Sequence, residues 1–316
     1  MFYDSTLGIN FFINIEKYFI YIIKIIYYII MKLSSYSDTN TILSTIHNAL
    51  FPFFSTEEAC TLRLINKEFN QLVTEYPWDD TNTQVKGSIK LWRMCFPNAC
   101  SLNVSNRNKP LNDSDCKYFN GIRKLNISRS IFDNPESNIT DNGFEYFTNV
   151  ISLNMSGCDQ IYITNTAFKS LKNIKDLNIC WCTQFDDIIF DDLKKLKILN
   201  ISWCEQINDK SFNKFCKLDS LTMRWCTQET ITDKAFLHLS NLNSLDIMGC
   251  NQNTITDYGF INLTKLKTLD ISYCDQNTIT NNIFNFMHDL YQLDISGCVQ
   301  LYKIKKIHNL HFNLYT

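Results

Sequence analysis

Over the second two thirds of the chain the hydrophobic and polar positions fall into one recurring phrase: a leucine, a polar residue, a second apolar residue, then a polar corner. It reads LNVSNR from Leu102, LNISRS from Leu125, LNMSGC from Leu153, LNICWC from Leu177, LNISWC from Leu199, LTMRWC from Leu221, LDIMGC from Leu245, LDISYC from Leu269 and LDISGC from Leu293. The nine leucines stand 23, 28, 24, 22, 22, 24, 24 and 24 residues apart. Alternation of this kind predicts a strand. The other half of each unit carries an Ile, a large apolar residue five positions later and another three beyond, as in Ile139/Phe144/Phe147, Ile231/Phe236/Leu239 and Ile255/Phe260/Leu263. Three-residue spacing after a Thr or Asp able to cap free amides predicts a short helix. Length varies only in the loop between the two halves, including an insertion over roughly 130–138.

A strand–turn–helix unit this short cannot bury its apolar face alone, so the units must stack on one another. Their length lies in the window of leucine-rich repeats. The fold class expected is α/β: a leucine-rich-repeat solenoid over 99–316, with parallel strands on the concave face and short helices on the convex face. The solenoid comprises about nine units and a short terminal coil drawn from Leu301, Ile304, Ile307, Leu310 and Phe312. Nine or ten strands at about 4.8 Å give an arc on the order of 45 Å, a surface rather than a pocket.

Charge and cysteine content narrow the function. The chain has 316 residues, 30 Lys+Arg against 32 Asp+Glu and a net charge of −2, which supplies no pull toward nucleic acid. Seven of 13 cysteines (Cys158, Cys182, Cys204, Cys226, Cys250, Cys274, Cys298) close successive repeat phrases. A ladder with one thiol per coil cannot converge on a metal, so each is read as a small inward-pointing side chain whose S–H meets a loop carbonyl. So many unpaired thiols imply a reducing compartment, cytoplasmic or nuclear. Asn-x-Ser/Thr triplets such as Asn200–Ser202 are then by-products of the repeat. No cofactor is called for. No catalytic constellation emerges either: the glycines are scattered, and acid pairs such as Asp186/Asp187 and Asp191/Asp192 read as solvated faces.

On the strand face, Asn103, Asn126, Asn154, Asn178, Asn200, Thr222, Asp246, Asp270 and Asp294 form one row. Beside it lie Arg224, Met248 and an aromatic run, Trp181, Trp203 and Trp225, with Tyr273 two units on. Aromatics with an arginine are the material of interface hot spots, which makes these six the candidate substrate-binding residues. The other reading is that tryptophan before the cysteine merely covers the strand end.

Residues 38–80 depart from the repeat. Ile42, Ile46, Leu50 and Phe53 share a helical face; Ser55–Glu58 is a capping box opening a second helix with Ala59, Leu62, Leu64 and Ile65; Lys67-Glu68-Phe69 leads into a third. Taken alone, three such helices could cap the stack. The stretch Leu50-Phe51-Pro52-Phe53-Phe54 followed by Leu62-Arg63-Leu64-Ile65-Asn66-Lys67-Glu68-Phe69-Asn70 resembles the core of an F-box, and the repeats resemble the cysteine-containing subtype of F-box/LRR proteins. The AT-biased composition is similar to that of giant-virus F-box/LRR sets, which would place the protein in a host cytoplasm. The family's opening Leu-Pro is Ile42-Leu43 here.

That resemblance implies a non-enzymatic substrate-recognition subunit of a Skp–cullin–F-box ubiquitin ligase. The F-box would dock a Skp-family adaptor through Ile42, Ile46, Leu50, Phe51, Phe54, Leu62, Leu64, Ile65 and Phe69, while the solenoid holds an unknown protein substrate. The alternative is a free-standing leucine-rich-repeat interaction module; a membrane-tethered receptor ranks third. Residues 81–98 read as linker or cap. Residues 1–37 read first as an apolar extension outside the native chain (Met31-Lys32 would make a start) or disordered, with a membrane anchor and packing against the F-box-like helices as the other readings. Glu16, Lys17 and Lys24 interrupt its apolar run and argue against a spanning helix.

Overall fold

The computed structural model describes residues 50–107, 111–128, 139–159, 161–301 and 311–313. The chain divides into two compact units, Met1–Phe54 and Ser55–Thr316. The described part of the first centres on one 3-10 turn, Phe51–Phe53, with Pro52 in the first turn, where no amide bond is lost. Phe51 and Phe54 are buried and Leu50 half-buried; Ile42 and Ile46 lie outside the described residues.

In the second unit ten strands form one parallel sheet in chain order. They are β1 (Ser101–Asn103), β2 (Lys124–Asn126), β3 (Ser152–Asn154), β4 (Asp176–Asn178), β5 (Ile198–Asn200), β6 (Ser220–Thr222), β7 (Ser244–Asp246), β8 (Thr268–Asp270), β9 (Gln292–Asp294) and β10 (His311–Asn313). Register sets leucine opposite leucine throughout, from Leu102↔Leu125 to Leu269↔Leu293, and Phe312 takes the same place opposite Leu293. The solenoid predicted from the spacing is the fold observed, and coils are numbered below by their strand.

The other half of most coils is 3-10 helix, a single turn at Asp187–Phe190, Asp233–Phe236 and Asp257–Phe260 and six residues long at Asn165–Ser170 and Asn281–Phe286, while Asp113–Cys116, Asp141–Phe144 and Asp209–Phe212 are short α turns. The second apolar residue follows three positions on, its amide donating to the phenylalanine carbonyl, as Leu239 to Phe236 at 3.1 Å and Leu263 to Phe260 at 3.0 Å. Phe236 and Phe260 stack at 6.1 Å between ring centroids, and both are fully buried. Thr232 caps its turn, its hydroxyl accepting the Lys234 amide, while its own N–H and O–H donate to Asp209 of the preceding coil at 2.8 and 2.7 Å. Thr256 does the same to Asp233, and Thr280 to Asp257. The Thr-Asp pair therefore caps one coil and fastens it to the next. Asp186 and Asp187 belong to this scheme too, accepting from Ile188 and Asn208 amides.

The helices before the repeats are α1 (Thr56–Leu62), α2 (Lys67–Glu75) and α3 (Ile89–Cys95). Ser55 and Glu58 form the expected capping box and Asn66 caps α2. α1 stops at Leu62, so Leu64 falls in the following turn and is 84% exposed, with Ile65 half-buried and Leu62 and Phe69 buried. The stretch 81–98 is more than a linker: Ser88 caps α3, and Val85 and Ile89 join the continuous core of the repeats. The Trp78 carbonyl accepts the Cys100 amide at 2.8 Å, and Gln84 forms a parallel bridge to Asn103.

Candidate protein-binding face

The corner after each strand builds the face. The side-chain oxygen of the polar-row residue accepts the amide two positions on: Asn178 from Cys180, Asn200 from Ser202, Asp270 from Ser272 and Asp294 from Ser296, at 2.9–3.0 Å. Asn and Asp recur there because a short carbonyl can close this turn. Asn200 also accepts the Ser202 hydroxyl, so the Asn-x-Ser triplet serves the corner.

The next position needs a left-handed backbone. Gly157, Gly249 and Gly297 occupy it at φ +70, +72 and +78, and Trp181, Trp203, Trp225 and Tyr273 at +63, +62, +57 and +57. The Trp203 amide still donates to Arg224 in the next coil and that of Trp225 to Met248. The rings lean onto their neighbours: Trp181 on Trp203 at 4.4 Å, Trp203 on Trp225 at 5.6 Å, and Trp225 on Tyr273 at 6.5 Å, each pair stacked. Gly249 lies beneath the gap, where a Cβ would stand 2.6 Å from the Trp225 ring. The predicted run is therefore one aromatic shelf along the strand ends, with Trp181 38% and Tyr273 53% exposed.

Behind the shelf the cysteines form a second ladder. Each thiol donates to the carbonyl of the core residue one coil back: Cys182 to Met155 at 3.1 Å, Cys204 to Ile179 and Cys226 to Ile201 at 3.2 Å, Cys274 to Ile247 at 3.1 Å. Burial pushes these thiols up, those of Cys226 and Cys298 to about 11. All 13 cysteines are free, and among the described residues no His, Cys, Asp and Glu group is gathered for a metal.

A third ladder escapes any reading of apolar spacing alone. Two residues after each cysteine stands a glutamine, and the amides of Gln184, Gln228, Gln252, Gln276 and Gln300 donate to the cysteine carbonyl of an earlier coil at 2.7–3.0 Å. The sevenfold Cys-x-Gln in the sequence is the signal that marks it.

Beside the shelf, Arg224 is the hub of the candidate residues. Its Nε donates to Asp246 at 2.6 Å and its Nη2 lies 3.9 Å from Asp270. On one side is an open hollow of about 530 Å³ lined by Ser202, Trp203, Trp225, Met248 and neighbours; on the other, one of about 340 Å³ lined by Asp246, Asp270 and Asp294. Burial and the nearby Asp270 raise the Asp246 carboxyl above its ordinary value despite the arginine. All six predicted strand-face residues are thus gathered on one surface across coils 4–8.

The chain matches the model of the BspA-type leucine rich repeat region, in six copies over residues 205–313. No curated protein matches it. Among solved structures, a chain of the yeast Rad7–Elc1 complex is similar at 17% identity and TM-score 0.50, covering 71% of this chain and 70% of that one. A chain of the Drosophila Toll–Spatzle complex (16%, TM-score 0.49) and one of the TLR13–ssRNA13 complex (18%, TM-score 0.43) align over 63% and 64% of this chain, which spans 27% and 36% of those chains. The Rad7–Elc1 likeness bears on fold alone. Among the described residues no helix is long and apolar enough to cross a membrane.

Proposed function

We propose that the protein is a non-enzymatic protein-binding adaptor that captures its partner on the strand face of coils 4–8. The carrying observation is the aromatic shelf with Arg224 at its side, set along the parallel sheet with Trp181 and Tyr273 exposed at its ends and Trp203 and Trp225 half-buried between them. In the finer reading, the helices before the repeats dock a Skp-family adaptor and join the captured protein to a cullin ubiquitin ligase. Leu64 supports this: a leucine 84% exposed in the turn between α1 and α2, inside the F-box-like stretch. The test is a pull-down of purified Skp-family adaptor by the full chain and by Leu64→Asp. Binding by the first and its loss in the second are expected; no binding by the intact chain rejects the ligase role.

One observation favours the second reading, a free-standing interaction module. Val85 and Ile89 enter the repeat core and Gln84 pairs with β1, so part of the helical segment covers the end of the stack.

A further inference from the structure

The partner's chemistry can be narrowed, on the reading that the strand face binds protein. Position by position the shelf is a choice against the backbone: glycine fills the same left-handed corner in coils 3, 7 and 9 without strain, whereas coils 4, 5, 6 and 8 hold aromatics there. A non-glycine in such a conformation is strained, and the stacking of a ring pair beyond its burial returns an energy of the same order. The stacking itself is thus no clear gain for the fold, while a row of ring edges is a ready contact surface for another chain.

Next to it the charge is one-sided. Asp246, Asp270 and Asp294 stand in register on adjacent strands, with Arg224 the cation set among them. Asp294 has no cationic partner among the described residues. The hollow they line abuts Arg224, which also borders the shelf's own hollow, so the apolar and acidic surfaces are continuous.

We propose that the occupant of this face is an extended segment of a protein partner that lays apolar side chains along the Trp181–Tyr273 shelf and places a lysine or arginine beside Asp270 and Asp294. Rigid aromatics supply contact area, and the acidic row sets register and selects charge.

The experiment is selection of random displayed peptides on the full chain, followed by fluorescence anisotropy of the most enriched peptide against the intact protein, Trp203→Ser, and the Asp270→Asn/Asp294→Asn double variant, each checked for an unchanged thermal transition. Expected are peptides with apolar residues and at least one Lys or Arg, an affinity loss of about tenfold or more in the aspartate variant, and weakening as salt is raised. Enriched peptides that depend on Trp203 but are neutral or acidic, or are indifferent to the aspartate variant, would overturn the charge assignment and leave the binding face standing. Failure to enrich any peptide, or binding indifferent to Trp203→Ser, would remove both. If the double aspartate variant loses its transition it is replaced by Asp294→Asn alone, and if Trp203→Ser does so it is replaced by Tyr273→Ser at the exposed end of the shelf, each with the same expected direction.

Discussion

Gly249→Ala is the substitution that most directly probes the shelf. The position has φ +72, and the added methyl would stand 2.6 Å from two atoms of the Trp225 ring and 2.8 Å from a third. An alanine forced into a left-handed corner is destabilising by about 1 kcal/mol, and displacing a packed ring adds about 1–3 kcal/mol. The expected loss is therefore about 2–4 kcal/mol. Gly87→Ala is the matched control: a methyl added there would meet nothing within 4 Å and the φ is not positive, so its effect should be within about 0.5 kcal/mol. The assay is equilibrium urea unfolding followed by tryptophan fluorescence. Only the steric part depends on the ring, so in the double variant with Trp225→Ala the losses should fall short of additivity by about 1–3 kcal/mol. A Gly249→Ala protein as stable as the parent, or strict additivity with Trp225→Ala, would refute the placement of Trp225 over coil 7.

Asp233→Ala removes the acceptor of the Thr256 amide and hydroxyl at 2.7 and 2.8 Å, and should lower stability by about 1–3 kcal/mol in the same unfolding assay, with Asp233→Asn recovering part of it. The buried thiols predict loss of stability in alkali. Burial raises Cys226 and Cys298 from 9.0 to about 11, so the folded state keeps protons that the unfolded chain releases. Their contribution is fully present below about pH 9 and lost as pH climbs toward 11; a melting temperature that stays level across that interval would contradict it. A brief pulse of a thiol-alkylating reagent on the native protein should label the exposed Cys60 and Cys216 before any ladder cysteine, read by peptide mass spectrometry.

How much of this is written in the chain depends on how local the cause is. The leucine phrase fixes strands, register and stacking, because a buried position repeated every coil admits one arrangement, and Leu102 through Leu293 sit as their spacing requires. The inward thiols are legible for the same reason; their acceptor, a carbonyl one coil back, is not, since it belongs to another unit. The aromatic run is visible as side chains, yet its left-handed backbone is hidden because Trp and Tyr stand where Gly157, Gly249 and Gly297 show the conformation openly. Asp209, Asp233 and Asp257 look like helix-start acids and prove to be clamps between coils, a role that only stacking creates. α3 escapes the sequence pattern because seven residues with one buried face carry too little periodicity to separate from a linker.

Amide hydrogen exchange, resolved along the sequence, tests most directly whether the coils form one continuous stack. The amides of Ile179, Ile201, Met223, Ile247 and Ile271 donate to the following coil at 2.8–3.0 Å with fully buried side chains, so slow exchange should recur at intervals of 22–24 residues through the repeats. Exchange at these amides as fast as in the intervening loops, or protection confined to isolated coils, would contradict the stack and every surface drawn on it.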